Sequence, residues 1–188
     1  PAGAHAHCPQ KKGATMNVLM HRAQAAALLA ALALPALAAA PGPYQPLAFL
    51  VGHCWKGTFP AGQVTDEHCF SWIYDGKFVR DEHVVHHGAG GPDNRGESIY
   101  VWDGAAQELQ YLYIESAGGY SRGTVAADGE ALVFPPTRYT ENGDTQTYRS
   151  RWQPAGPNAY DVLTEFQVKD RWVPGFKLHM ERVSDTRP

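Results

Sequence analysis

From residue 53 onward, apolar and polar positions alternate with a period of two. Clusters of Gly, Pro, Asn and Asp break the alternation at short, regular intervals. Alternation of this kind marks half-buried strands, and evenly spaced turn signals mark an all-β sandwich or barrel. The predicted strands cover residues 53–59, 64–72, 78–86, 97–102, 108–115, 120–126, 131–134, 146–152, 160–168 and 172–183. No long segment carries helical periodicity, and no repeat of fixed period is present. Short meander connections favour closure, because a closed barrel leaves no unpaired edge. The expected fold is therefore all-β, a single antiparallel up-and-down barrel of about ten strands. Ahead of it, residues 41–46 read as a Pro/Gly linker and residues 47–51 as a short lead-in of one helical turn. Residues 88–95 (GAGGPDNR) read as a surface loop, and Pro135-Pro136 as the end of the seventh strand.

The N-terminal segment departs from this pattern. Residues 16–40 read MNVLMHRAQAAALLAALALPALAAA, with Arg22 as the positive n-region, an apolar core over 25–37 and the small residues Ala38, Ala39 and Ala40 at a cleavage point. That is the layout of a secretory signal peptide. The apolar run is too short to span a bilayer comfortably and Pro35 interrupts it, so no stable membrane insertion is expected. Residues 1–15 precede Met16 and read as upstream or appended residues, leaving 41–188 as the barrel domain. The expected destination is the periplasm or the exterior. Cleavage after Ala40 removes Lys11, Lys12 and Arg22 and no acid, so the net charge falls from −3 to −6. Such a chain offers nothing to attract nucleic acid. Its remaining cysteines, Cys54 and Cys69, are most simply a disulfide in an oxidising compartment, since a metal-thiolate pair would want CxxC spacing.

Two turns then set register. Asp75-Gly76 is the strongest hairpin signal in the chain and favours a two-residue type I′ turn. It pairs Trp72 with Val79, Phe70 with Asp81, His68 with His83 and Asp66 with Val85, all on one face because side chains alternate. A Cys54–Cys69 bridge requires the two residues to be nearly opposite. That places Trp55 across from His68 on the same face, with a four-residue loop over 60–63. This face is aromatic and apolar and is read as the barrel interior; the cysteine face points outward. Asp66, His68, Asp81 and His83 then fall inside, flanked by Trp55 and Trp72. Buried groups of this kind must be paired or bound. A hydrogen-bonded Asp/His network, a polar patch that orients a ligand, and a metal or catalytic centre all fit these residues.

Tyr111 and Tyr113 share a face with Leu109, and Tyr100 and Trp102 share another; such stripes are core or cavity wall. His86 and His87 are adjacent on one strand end and point opposite ways. Arg149 and Arg151 share a face with Thr147, read as solvated. His179 alternates with Phe176, Leu178 and Met180, which puts it outside. No GxSxG, HExxH, P-loop or GxGxxG sequence is present, and no residue stands out as a nucleophile or acid–base pair, so no enzyme class follows.

The run LVGHCWKG from Leu50 to Gly57 resembles the opening of calycin-like barrels, where a Gly and then a Trp begin the first strand and the Trp plugs one end. With Phe70-Ser71-Trp72 and Asp75-Gly76-Lys77-Phe78 it looks like a family of bacterial exported calycin-like proteins, lipocalin-like and distantly nitrobindin-like. The resemblance implies a barrel but carries no assigned chemistry. Nitrobindins ligate haem through a His near their C-terminal strands, and His179 matches by location, so it is the haem alternative. The leading expectation is an exported barrel, carrier or sensor, for a small hydrophobic or amphipathic ligand. Its candidate binding residues are Trp55, Asp66, His68, Trp72, Asp81, His83, Tyr111 and Tyr113, with no cofactor or metal predicted. The alternatives are a haem- or metal-dependent or other enzyme using the barrel histidines, and a structural or interaction barrel with a filled core.

Overall fold

The computed structural model describes residues 42–60 and 62–186. The expected signal peptide and the residues ahead of it lie outside them. A 3-10 helix, Gly42–Leu47, leads into ten strands: β1 His53–Thr58, β2 Thr65–Ile73, β3 Phe78–His86, β4 Asn94–Asp103, β5 Glu108–Glu115, β6 Tyr120–Asp128, β7 Ala131–Glu141, β8 Asp144–Pro154, β9 Ala159–Val168 and β10 Arg171–Asp185. Each strand pairs antiparallel with its neighbour in sequence, and β1 also pairs with β10, so the barrel is closed. This is the expected up-and-down architecture, calycin-like in layout.

Both predicted registers hold. Ile73 pairs with Phe78, Trp72 with Val79, His68 with His83 and Asp66 with Val85. Asp75 and Gly76 take the positive φ, 55° and 78°, that a type I′ turn uses, but the expected two-residue loop is corrected: Tyr74 is also at φ 50° and the ladder ends at Ile73 and Phe78, so the connection has four residues, 74–77. Cys54 pairs with Cys69 and Trp55 with His68, and the two cysteines are bonded. The face carrying Trp55, Phe70 and Val79 is buried inside the barrel, as the alternation implies.

Three expectations about boundaries are corrected. The Pro/Gly stretch is no linker: as the 3-10 helix it closes one end of the barrel, with Tyr44 and Leu47 buried. The Tyr44 hydroxyl donates to Lys77 O (2.9 Å) and accepts from Trp102 N–H (3.0 Å), and its ring meets Trp72 edge-on at 5.4 Å. Pro135-Pro136 does not end β7, which runs on to Glu141 past a register shift between Phe134 and Thr137. A bulge absorbs residues that have no N–H to give the ladder. Pro174-Gly175 makes a similar shift in β10. The 88–95 loop is shorter than expected, because Asn94 and Arg95 already belong to β4; Gly88–Gly90 is a single 3-10 turn.

Height along the barrel divides the interior. At the end capped by the helix, Leu47, Leu50, Trp55 and Tyr160 are buried together. Trp55 Nε1–H donates to Leu50 O at 3.2 Å, and its ring meets Tyr160 at 5.2 Å. This end is filled. The other half, toward the β1–β2, β5–β6 and β7–β8 turns, holds a cavity of about 310 Å³. Eight strands enclose just enough space for their own side chains, so ten leave room.

Candidate functional site

The cavity wall on β2 and β3 carries the predicted acid–histidine group. Alternation from the Asp75-Gly76 turn sends Asp66 and His68 inward from β2 and Asp81 and His83 inward from β3. His68 sits between two carboxylates, with Nδ1 2.8 Å from Asp81 Oδ2 and Nε2 3.2 Å from Asp66 Oδ2. His83 Nδ1 lies 3.4 Å from the other Asp66 oxygen, Oδ1, and Nε2 hydrogen-bonds the Tyr113 hydroxyl at 2.9 Å. The result is two hydrogen-bonded groups, Asp81–His68–Asp66 and His83–Tyr113, that meet where Asp66 Oδ1 and His83 Nδ1 face each other at 3.4 Å without a hydrogen bond. The two imidazoles are 4.9 Å apart, centre to centre.

Electrostatics follow from this order. Burial pulls the His68 pKa down, but the facing Asp81 and Asp66 outweigh it and hold it well above the ordinary imidazole value. A carboxylate on each nitrogen favours the protonated ring. Burial pushes the Asp66 carboxyl up, yet His68 and His83 more than offset this and keep it well below the ordinary range. Burial, then Glu115 and Tyr139, raises the Tyr113 phenol. Three buried atoms of the group have no hydrogen-bond partner: Asp66 Oδ1, Asp81 Oδ1 and His83 Nδ1. A buried polar atom left so is costly, on the order of 1–3 kcal/mol.

A glycine shapes this arrangement. Gly96 on β4 pairs with His83 and, on its other side, with Glu115 of β5. A Cβ there would strike the His83 ring and stand 2.8 Å from Tyr113 Cε2. The missing side chain lets His83 and Tyr113 meet across β4.

The rest of the wall is mainly aromatic and aliphatic. Tyr111, Phe134 and Trp152 pack in sequence, with ring centres 5.6 and 4.7 Å apart, and Val162, Leu178 and Met180 face them. Polar points are few. Tyr148 bonds Tyr111 (2.9 Å) and Ser121 (3.0 Å) through its hydroxyl. Ser150 and Thr164 bond each other at 3.0 Å. At the rim, Glu115 accepts from Ala117 N–H, Gly119 N–H and the Tyr139 hydroxyl.

Of the eight predicted binding residues, Asp66, His68, Asp81, His83, Tyr111 and Tyr113 line the cavity. Trp55 and Trp72 share the inner face but stand at the filled end, against Tyr160 and Tyr44. His179 is on the outer wall with its side chain 55% exposed, hydrogen-bonded to Asp161 at 2.7 Å. The two tyrosine stripes turn out to be one, since Tyr100 pairs with Tyr111 and Trp102 with Leu109. Arg149 and Arg151 lie outside and pair with Glu165 and Asp128. Sequence reasoning missed Tyr148, Ser150 and Trp152. The signal was present: they alternate with Thr147, Arg149 and Arg151, so an outward arginine face makes theirs inward. Among the described residues, Asp66, His68 and His83 bring donor atoms close enough together to share a metal, all within 4.8 Å.

Fold and site together define a closed ten-stranded antiparallel barrel, calycin-like in layout, with a polar-edged internal cavity. No protein-family model matches the chain, and no curated protein matches it.

Proposed function

We propose that the chain is an exported barrel that binds a small apolar or amphipathic molecule in its cavity, as a carrier or sensor rather than an enzyme. The observation that carries this reading is the cavity: about 310 Å³, walled by Tyr111, Phe134, Trp152, Val162 and Leu178, with an acid–histidine group along one side. Small-molecule sites are mostly apolar with a few placed polar groups, and occupy about 300–1,000 Å³. The volume is at the low end, so the ligand is small. His83 and Tyr113 would meet its polar end and the aromatic wall its body. The Cys54–Cys69 bridge supports an oxidising compartment. No described helix is long and apolar enough to cross a membrane. Haem gains no support from His179, which points away from the interior.

The test is native mass spectrometry of protein purified from its own host, followed by titration of stripped protein with a panel of small aromatic and aliphatic probes in chelator. A saturable 1:1 complex is expected, quenching Trp152 fluorescence, and Val162→Trp, which fills the cavity, should abolish it. Binding that survives Val162→Trp, or no saturable binding across the panel, would refute the reading. The intact mass of the exported protein is expected to start at Pro41.

A further inference from the structure

The geometry points to a divalent transition-metal site on the cavity wall, with Asp66, His68 and His83 as ligands and Asp81 and Tyr113 orienting the two imidazoles. The inference does not depend on the cavity taking an organic ligand.

Donor spacing is the first support. His68 Nε2 and His83 Nδ1 lie 3.2 and 3.4 Å from the two oxygens of Asp66. Donors about 2.1 Å from a tetrahedral zinc ion stand about 3.4 Å apart. Each imidazole is therefore close to ligand separation from Asp66, and all three donor atoms lie within 4.8 Å of one another. The second support is the set of groups behind them. A metal-bound histidine typically gives its other ring N–H to a carboxylate or another acceptor, which fixes its tautomer and orientation. Here His68 Nδ1 is held by Asp81 at 2.8 Å and His83 Nε2 by Tyr113 at 2.9 Å. Both rings are thus anchored from behind and turn their remaining nitrogen to the same carboxylate. The third is incompleteness. Asp66 Oδ1 and His83 Nδ1, two of the atoms a metal would take, are buried and face each other at 3.4 Å with no hydrogen bond to any group.

The ligand chemistry agrees. Asp66 and Asp81 stand against the same imidazole in the wall, on opposite ring nitrogens. A divalent ion would take the place of any proton shared between His68 Nε2 and Asp66, that proton leaving to solvent, while His68 Nδ1 stays on Asp81. Two imidazoles and one carboxylate suit zinc or iron(II) better than magnesium or calcium. Three protein ligands leave a further coordination position, and the cavity lies beside it.

The full chain, stripped with chelator and dialysed, is titrated with zinc by calorimetry, with no organic probe present. Binding of one zinc per chain is expected. Asp66→Asn should weaken it at least about tenfold and Asp81→Asn by about 10–100-fold, while His179→Ala on the outer wall leaves it unchanged. Nitrogen NMR of the unmutated protein gives a reading that does not depend on variants folding: zinc should move His68 Nε2 and His83 Nδ1 and leave His179 in place. Absence of one-equivalent binding overturns the inference, as does binding that survives Asp66→Asn or shifts confined to His53, His86 or His179. Because zinc is tested without probe and the probe in chelator, failure of this site and failure of the ligand reading show separately.

Discussion

Reducing the Cys54–Cys69 bridge should cost the barrel about 3 kcal/mol. The bond spans a sequence separation of 15 residues, and closing a loop of that length in the unfolded chain is worth about 3 kcal/mol at 25 °C in the chain-entropy account. A domain of about 150 residues loses roughly 2–4 °C of Tm per kcal/mol, so the melting temperature should fall by about 10 °C. The location makes the effect local as well. β1 has six residues, the fewest of the ten strands, and closes the barrel between β2 and β10. Its ladder to β10 shifts register between Cys54 and Trp55. The bridge therefore fastens the closing seam beside its own irregularity. Thermal melts by circular dichroism with and without reductant, checked with Cys54→Ala/Cys69→Ala, give the magnitude. Hydrogen exchange gives the place: amides of His53–Thr58 should lose protection on reduction before those of Glu108–Glu115. A Tm change under about 2 °C would refute the entropy argument, and uniform loss of protection would refute the seam.

Gly96→Ala should destabilise the fold by about 1–3 kcal/mol in urea unfolding, since the new methyl meets the His83 ring and Tyr113; Gly104→Ala, whose nearest neighbour would be Trp102 Nε1 at 3.9 Å, should change it by no more than about 0.5 kcal/mol. Glu115 gives a pH dependence. Burial raises its carboxyl, but hydrogen bonds from Ala117 N–H, Gly119 N–H and Tyr139 outweigh this and leave it below the ordinary glutamate value. Its contribution is therefore complete above the unfolded pKa and lost as pH falls through the folded one. Glu115→Gln should flatten the acid limb of stability measured by urea unfolding between neutral and pH 3, and an unchanged limb would refute the assignment.

What the sequence disclosed about this barrel depended on which constraint was local. The Asp75-Gly76 turn and the cysteine pair each fix a register over adjacent strands, and a register of period two assigns every side chain to a face. His68 and His83 could be placed together inside for that reason. Face is not height, however. Trp55 and Trp72 lie on the same inner face as His68, yet they stand among the plug residues, because nothing in alternation says where along the barrel the filled part ends. That boundary is set by Tyr44, whose hydroxyl reaches Trp102, 58 residues away. Residues 41–46 look like a linker because Pro and Gly report local preference only. The same limit hid half of the site. The imidazoles follow from the β2–β3 hairpin, but Tyr113 reaches His83 only across β4, and only because position 96 has no side chain to stand between them. A glycine inside a strand normally weakens it. Here the strand gives up packing so that the aromatic hydroxyl on one side and the imidazole on the other can hydrogen-bond, which turns two half-buried histidines into an oriented pair facing one carboxylate.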